Sequence, residues 1–205
     1  MGPAVPRTDE EWMLRLKAGA PSVREEAFDV LVAKYRTPVI HFLYRLVHRR
    51  EPAEDLAQEV FLRVYRARKS YQPKAKFSTW LFRIATNVAL NALRDGRMRH
   101  EREQSIDAEA DPEASGPSLA ERLPDAMATA EQALVERERA AEIRRAVEEL
   151  PEKQRLAVLL HKYQEMDYAE IAEVLECSES ALKSLLFRAY ETLRVRLRPF
   201  LGARV

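Results

Sequence analysis

The stretch FSTWLFRIATNVALNALR, residues 77–94, predicts an amphipathic helix. Its apolar and polar side chains recur on separate faces at spacings of three and four. The apolar set is Trp80, Leu81, Ile84, Val88 and Leu93, and the projecting set is Thr79, Arg83, Asn87, Asn91 and Arg94. Amides and guanidiniums on one face can bind phosphates and base edges, but the same pattern is also typical of an ordinary solvated face.

Upstream, AEDLAQEVFLRVYRA, residues 53–67, predicts a second amphipathic helix. Pro52 precedes it at a first-turn position, and Glu54 and Asp55 suit the positive end of a helix dipole. The predicted inward stripe is Leu56, Val60, Phe61, Val64 and Tyr65. The residues left outside include Asp55, Gln58, Glu59, Arg63 and Arg66.

Two capping boxes predict two helices before the one predicted over residues 53–67. Thr8 with Glu11 starts the first, and Ser22 with Glu25 starts a longer helix that contains Pro38. Apolar residues at spacings of three and four continue the longer helix, and Pro38 is expected to kink it.

The C-terminal part of the chain has the spacing of a helix-turn-helix. Long helices are predicted from near Glu131 and from Pro151, and YAEIAEVL, the joint ECSE and SALKSLLFRAYETLRVRL then follow from residue 168. On the last helix Leu182, Leu185, Leu186, Ala189 and Leu193 form an apolar stripe, while Lys183, Ser184, Phe187 and Arg188 lie on another face. An outward aromatic among donors fits a recognition helix in the major groove, although Phe187 could equally belong to the core.

The formal net charge of the 205-residue chain is +1, and this total hides three segments of alternating sign. Residues 60–100 have a net charge of +9, residues 101–136 of −8 and residues 177–205 of +4. This order predicts two modules that bind a polyanion, joined by a segment that avoids it. Between Ser105 and Pro124, prolines, serines and a glycine without apolar periodicity predict a linker.

Composition excludes several other classes of protein. Hydrophobic residues make up 46% of the chain and glycines number only 5, which favours a helical fold over disorder or a sheet. The single cysteine, Cys177, favours a reducing, cytoplasmic setting, and the scattered histidines give no expectation of a metal or cofactor. No apolar run is long enough to span a membrane, so no membrane insertion is expected. His161 and its neighbours form no catalytic motif, and an enzyme is not expected.

Three stretches, residues 53–67, 77–94 and 170–194, together resemble the extracytoplasmic-function (ECF) sigma factors of bacterial RNA polymerase. The resemblance implies an all-α fold with two helical domains joined by a flexible acidic linker, the second domain containing the helix-turn-helix. We expect the N-terminal domain over residues 1–100, the linker over 101–130 and the C-terminal domain over 131–205. The implied function is an alternative sigma factor that binds core RNA polymerase, directs it to specific promoters and opens promoter DNA.

The resemblance also implies roles for individual residues. Contact with core polymerase is expected at Asp55, Gln58 and Glu59. Recognition and melting of the minus-ten element are expected at Lys74, Lys76, Phe77, Thr79, Trp80, Arg83, Asn87 and Asn91, with Trp80 mostly structural. Opened single-stranded DNA needs cations along its backbone and a surface for an extruded base, which these residue types supply. Minus-thirty-five contacts are expected at Lys183, Ser184, Phe187 and Arg188.

The chain departs from the family pattern at four positions. Glu176 and Ser180 replace glycines that are common in the turn and before the recognition helix, and Leu185 and Tyr190 replace arginines. Fewer cations should weaken phosphate anchoring, and glutamate adopts positive φ less readily than glycine does. The turn geometry is therefore expected to differ.

Several alternatives remain open from the sequence. The acidic linker could be a plain spacer, a segment that avoids DNA, or a mimic of RNA in the path through polymerase that the family implies. Cys177 could be an inert thiol or a redox sensor. A stand-alone helix-turn-helix regulator is the alternative function, and an anti-sigma factor is the protein partner that the family implies.

Overall fold

The computed structural model describes the backbone of residues 8–94 and 130–201 and the side chains of residues 8–94 and 137–200. Within these ranges the regular elements are helices, with no strand. They are α1 (Asp9–Ala18), α2 (Pro21–Val47), α3 (Arg50–Ala67), α4 (Phe77–Arg94), α5 (Ala130–Glu148), α6 (Glu152–Tyr163), α7 (Tyr168–Val174) and α8 (Glu179–Leu201), with a 3-10 turn at Arg68–Ser70 after α3. The predicted all-α fold is confirmed.

Helices α1 to α4 form the N-terminal module around a shared apolar core. Each helix buries side chains at helical spacing, including Leu16 from α1, Phe42 from α2, Val60 from α3 and Phe82 from α4. The rings of Phe42 and Phe82 meet edge to face, with their centroids 5.4 Å apart. Burial of an aromatic or branched aliphatic side chain contributes roughly 1.5–3 kcal/mol, so these contacts hold the four helices in place.

The helix starts show one correct and one wrong prediction. Thr8 Oγ1 accepts a hydrogen bond from the Glu11 N–H at 3.2 Å, and the Glu11 carboxylate accepts one from the Thr8 N–H, so this capping box is confirmed. The box predicted at Ser22 is wrong, because α2 already begins at Pro21. Proline suits the first helical position since its φ is fixed and its missing N–H would have no partner there.

Helices α5 to α8 form the C-terminal module, and α7 and α8 make the predicted helix-turn-helix. The Asp167 side chain caps α7, and Glu170 closes the capping box by accepting from the Asp167 N–H. Ile171 of α7, Leu186 of α8 and Leu159 of α6 are all buried in the core that the three helices share. Helix α8 is thereby fixed against the other two helices.

The two modules contact each other through α4 with α7 and α2 with α6. His48 Nδ1 lies 3.0 Å from a carboxylate oxygen of Glu148, and the Arg45 guanidinium lies 4.0 Å from the ring centroid of Tyr163. The predicted linker over 101–130 lies outside the described residues except for its last residue, which begins α5. The proposed boundaries of the two domains and the linker therefore stay predictions.

Candidate nucleic-acid and protein interfaces

Helix α3 presents an acidic and polar face to solvent. Asp55 and Gln58 are exposed, and Glu59 is partly buried. The Arg63 Nε–H donates to Glu59 Oε1 at 2.7 Å, within the same helix. The three residues expected at a polymerase contact therefore lie on the outside of the N-terminal module, as their spacing indicated.

Two apolar side chains extend this face in a way that the sequence pattern missed. Leu62 is 48% exposed, and Tyr65, placed by the pattern in the inward stripe, is 38% exposed. The Tyr65 ring packs edge to face against Phe28 of α2, with 5.4 Å between centroids, so it lies at the margin of the core. Residues 55, 58, 62 and 65 recur at spacings of three and four, so they lie on one helix face. This spacing could have identified Leu62 and Tyr65 as part of the exposed face from the sequence.

The loop before α4 is held by buried aromatic rings. Phe77, a predicted minus-ten residue, is fully buried, and its N–H donates to Glu10 Oε1 at 2.6 Å. Its ring contacts those of Tyr35 and Tyr71, and Trp80 lies half-buried with its centroid 5.1 Å from that of Tyr71. Burial, with Glu10 and Asp9 nearby, raises the pKa of Tyr71 to about 12. Phe77 and Trp80 thus support the loop from inside, while Lys74 and Lys76 are exposed on it.

The outer face of α4 is only partly open to solvent. Asn87 and Asn91 are exposed as predicted, and Arg83 is half-buried. Thr79 was predicted to project, but its exposed fraction is 0%. The reason is tertiary: α7 packs against this end of α4, and the Thr79 hydroxyl donates to Glu170 Oε1 at 3.2 Å.

The face of α8 predicted to read the minus-thirty-five element is open. Lys183, Ser184, Phe187 and Arg188 are all exposed, and Phe187 has 68% of its surface accessible. The opposite stripe is buried through Leu182, Leu186, Ala189 and Leu193. Phe187 is therefore not a core residue in this structure, and the alternative that it packs inside is wrong.

The four departures from the family pattern now have structural accounts. Glu176 adopts φ 51°, so a glutamate occupies the left-handed conformation that favours glycine. Ser180 lies inside the first turn of α8, whose N-terminus is capped by Ser178 Oγ accepting from the Ala181 N–H at 3.2 Å. Leu185 and Tyr190 are partly buried, so neither stands where a side chain could reach freely into solvent.

The described residues offer no metal site and no membrane span. No group of three or more histidine, cysteine, aspartate or glutamate side chains among them could hold a metal ion. None of the helices in the described ranges combines the length and the apolar composition needed to cross a bilayer. Cys177, between α7 and α8, is half-buried as a free thiol.

Two protein families match the two modules. Residues 31–99 match the family described as sigma-70 region 2, and residues 140–193 match sigma-70 region 4. The first match covers the α3 face and the α4 face, and the second covers the helix-turn-helix. The two candidate DNA-binding surfaces therefore fall in the two matched regions.

Full-length relatives and solved structures agree with these matches. The RNA polymerase sigma-H factor of Pseudomonas aeruginosa is 32% identical over 193 residues, which cover 94% of this chain and 95% of that protein. The ECF RNA polymerase sigma-E factor of Escherichia coli K12 is 31% identical over 195 residues, covering 95% and 96%.

Among solved structures, CnrH in complex with the cytosolic domain of CnrY is similar with a TM-score of 0.66 and 19% identity, covering 93% of this chain and 97% of that chain. The sigma factor RpoE with the anti-sigma factor NepR from Bartonella quintana is similar with a TM-score of 0.60 and 21% identity, covering 86% and 98%. These likenesses show the fold, and the full-length identities show the family. The chain belongs to the ECF group of RNA polymerase sigma factors, and its function is promoter-specific initiation of transcription.

Proposed function

We propose that this sigma factor binds promoter DNA and core RNA polymerase through three separate helix faces. The observation that carries the proposal is the open face of α8. Lys183, Ser184, Phe187 and Arg188 are exposed together, while the opposite side of the helix is buried. Two cations, a hydroxyl and an aromatic ring on one fixed helix can bind phosphates and contact base edges in a major groove.

The face of α3 is the proposed contact for core polymerase. Asp55 and Gln58 supply polar groups, and Leu62 and Tyr65 supply apolar area beside them. Polar groups around an exposed apolar centre are typical of protein interfaces. Glu59 contributes through the same face and is oriented by its hydrogen bond to Arg63.

The loop before α4 and the outer face of α4 are the proposed minus-ten site. Lys74, Lys76 and Arg83 supply cations for the backbone of an opened strand, and Thr79, Asn87 and Asn91 supply hydrogen-bonding groups for bases. Phe77 and Trp80 hold the loop in shape through their packing on Tyr71. The proposed role of these two rings is support of the loop, and Trp80, which is partly exposed, is also available to a base.

Sigma factors are regulatory proteins, and we propose that this chain has no catalytic activity of its own and acts in the cytoplasm with polymerase. We also propose an anti-sigma factor as a protein partner. The support is that the similar RpoE structure was solved with an anti-sigma factor. The alternative, a stand-alone helix-turn-helix regulator, would bind specific duplex DNA without polymerase.

Reconstituted transcription tests the proposal. Purified chain is mixed with core polymerase and a genomic library, and run-off products are sequenced to map start sites. The expected result is a set of start sites that share two upstream elements and are absent without the chain. Core polymerase that fails to bind the chain would contradict the proposal, and specific duplex binding by the chain alone would favour the regulator.

A further inference from the structure

The minus-ten face of α4 is covered by the C-terminal module of the same chain. Thr79, a proposed base contact, is fully buried, and its hydroxyl donates to Glu170 of α7. In this arrangement no base can reach the Thr79 side chain. Exposure of the site therefore requires α7 to move away from α4.

The C-terminal module places carboxylates next to two of the cations proposed to bind DNA. Lys76 Nζ lies 2.9 Å from Glu170 Oε1, and the Arg83 guanidinium donates to Glu176 Oε1 at 2.6 Å and 3.2 Å. The hydrogen bond to Glu170 raises the pKa of Lys76. A DNA phosphate would have to displace these carboxylates to bind the same two cations.

The backbone at Glu176 supports a specific role for its side chain. Glu176 adopts φ 51°, a left-handed conformation that is strained for a residue other than glycine. Its carboxylate extends away from the turn and accepts a hydrogen bond from Arg83, 93 positions earlier in the chain. A glycine at this position would suit the turn but could not form the pair.

We propose that Glu170 and Glu176 hold the minus-ten face of α4 in a closed state that excludes single-stranded DNA. This inference rests on the proposed function, which assigns that face to the minus-ten element. The two carboxylates occupy the places of DNA phosphates, so the C-terminal module acts as an internal competitor in the free chain.

The closed state is built from contacts that a partner can break. The pairs Lys76–Glu170 and Arg83–Glu176, here called the latch, are both partly exposed, and exposed ion pairs contribute little to stability. The two modules also contact each other at a second place, where His48 pairs with Glu148 and Arg45 lies over the ring of Tyr163. The His48–Glu148 pair is also partly exposed. Competition by DNA and polymerase for the two modules is therefore expected to open the chain.

Spin-label distances in the free chain test the latch. Labels are placed at Glu25→Cys and Lys153→Cys, both exposed positions, in a Cys177→Ser background without other cysteines. The latch variant is Glu170→Gln with Glu176→Gly. Glutamine keeps the capping box that starts α7, and glycine suits the left-handed turn, so the variant is expected to fold.

The matched control is Glu173→Gln with Glu179→Gln, which removes two exposed carboxylates from the same helix-turn-helix, one at the end of α7 and one in the first turn of α8. At low ionic strength we expect one narrow distance distribution for the wild type and the control. We expect a distribution broadened toward longer distances for the latch variant. A broad distribution in the wild type, or a latch variant indistinguishable from the control, would overturn the proposal.

Binding of a fluorescein-labelled single-stranded 20-mer of random sequence gives a second readout. Because affinity scales with the fraction of open chain, we expect the latch variant to bind roughly fivefold more tightly than the control does. Equal affinities would overturn the DNA-excluding role. Run-off transcription distinguishes failure of this inference from failure of the proposed function. If the wild-type chain supports transcription but its latch variant and control do not differ in distance distribution, only the closed state is refuted. If the chain does not bind core polymerase, the proposed function is refuted.

Discussion

Tyr190 Oη lies 2.8 Å from His161 Nδ1 and ties the recognition helix α8 to the supporting helix α6. The His161 ring also contacts the rings of Tyr190 and Tyr168, so three side chains from α6, α7 and α8 meet at one point. Tyr190 stands where the resemblance to the family implies an arginine. Its hydroxyl makes a hydrogen bond inside the C-terminal module.

Replacement of Tyr190 by phenylalanine should destabilise the C-terminal module by about 1 kcal/mol. The substitution keeps the ring but leaves a partly buried nitrogen of His161 without its hydroxyl partner. Urea denaturation measures the change. Tyr168→Phe is the matched control, because Tyr168 is exposed and its ring contact with His161 is retained, and its effect should stay within about 0.5 kcal/mol. Equal costs for the two variants would contradict a specific role for the hydrogen bond.

Helix positions and the outward face of α8 could be predicted from the sequence because they depend on local spacing. The apolar stripe from Leu182 to Leu193 repeats at three and four, and Phe187 falls outside it. Thr8 likewise carries its own capping partner three residues later. In both cases the residues that determine the structure lie within a few helical turns of one another.

The burial of Thr79 could not be predicted because its cause is distant in the chain. Thr79 faces outward from its own module, and Glu170, 91 positions later, covers it. Helical periodicity gives the face of a residue but not which other module packs there. The predicted burial of Tyr65 was wrong for a different reason. Tyr65 lies at the edge of the apolar stripe, where a small rotation of the helix about its axis decides whether a side chain is exposed.

Truncation of Phe187 should weaken promoter binding without affecting the fold. The ring is 68% exposed, so Phe187→Ala should change the free energy of unfolding by no more than about 0.5 kcal/mol. Loss of a base contact costs about 1–3 kcal/mol, which predicts roughly tenfold weaker binding of the holoenzyme to a mapped promoter. Val195→Ala removes an equally exposed side chain from α8 and should leave promoter binding unchanged. Identical promoter affinities for the two variants would remove Phe187 from the DNA interface.

Removal of two cations from α8 should change the salt dependence of promoter binding. Lys183 and Arg188 are exposed on the proposed DNA-binding face of α8, and each phosphate contact contributes about −0.9 to the slope of log K against log salt. The double variant Lys183→Ala with Arg188→Ala should therefore make the slope less negative by about 2, measured with the holoenzyme over a range of salt concentrations. Phe187→Ala should leave the slope unchanged. A slope equal to that of the wild type would show that these cations do not contact phosphates.

Charge reversal on α3 should weaken binding of core polymerase. Asp55 is exposed next to Gln58 and Leu62, so Asp55→Lys reverses a charge in the proposed interface while the core stays intact. We expect roughly tenfold weaker binding, measured by fluorescence anisotropy of labelled chain titrated with core polymerase. Glu26→Lys makes the same charge change at an exposed position of α2 and should bind as the wild type does. Loss of affinity in both variants would point to a general charge effect in place of a specific contact.

Stability should fall as the pH drops below neutrality, with His41 and His161 contributing. Burial lowers the pKa of both imidazoles from 6.5, and Arg45 beside His41 and Lys162 beside His161 act in the same direction. The unfolded chain therefore binds more protons than the folded chain between the folded pKa values and 6.5. The folding stability is accordingly highest above pH 6.5 and falls as the pH drops from 6.5 through the folded pKa values.

Urea denaturation at about pH 7.5 and about pH 5.5 measures this loss. The variant His41→Gln with His161→Gln should show a smaller difference between the two pH values than the wild type does, because glutamine does not titrate. Carboxylates titrate equally in both proteins and cancel in the comparison. A variant that keeps the full pH dependence of the wild type would assign the loss to other groups and contradict the role of these two histidines.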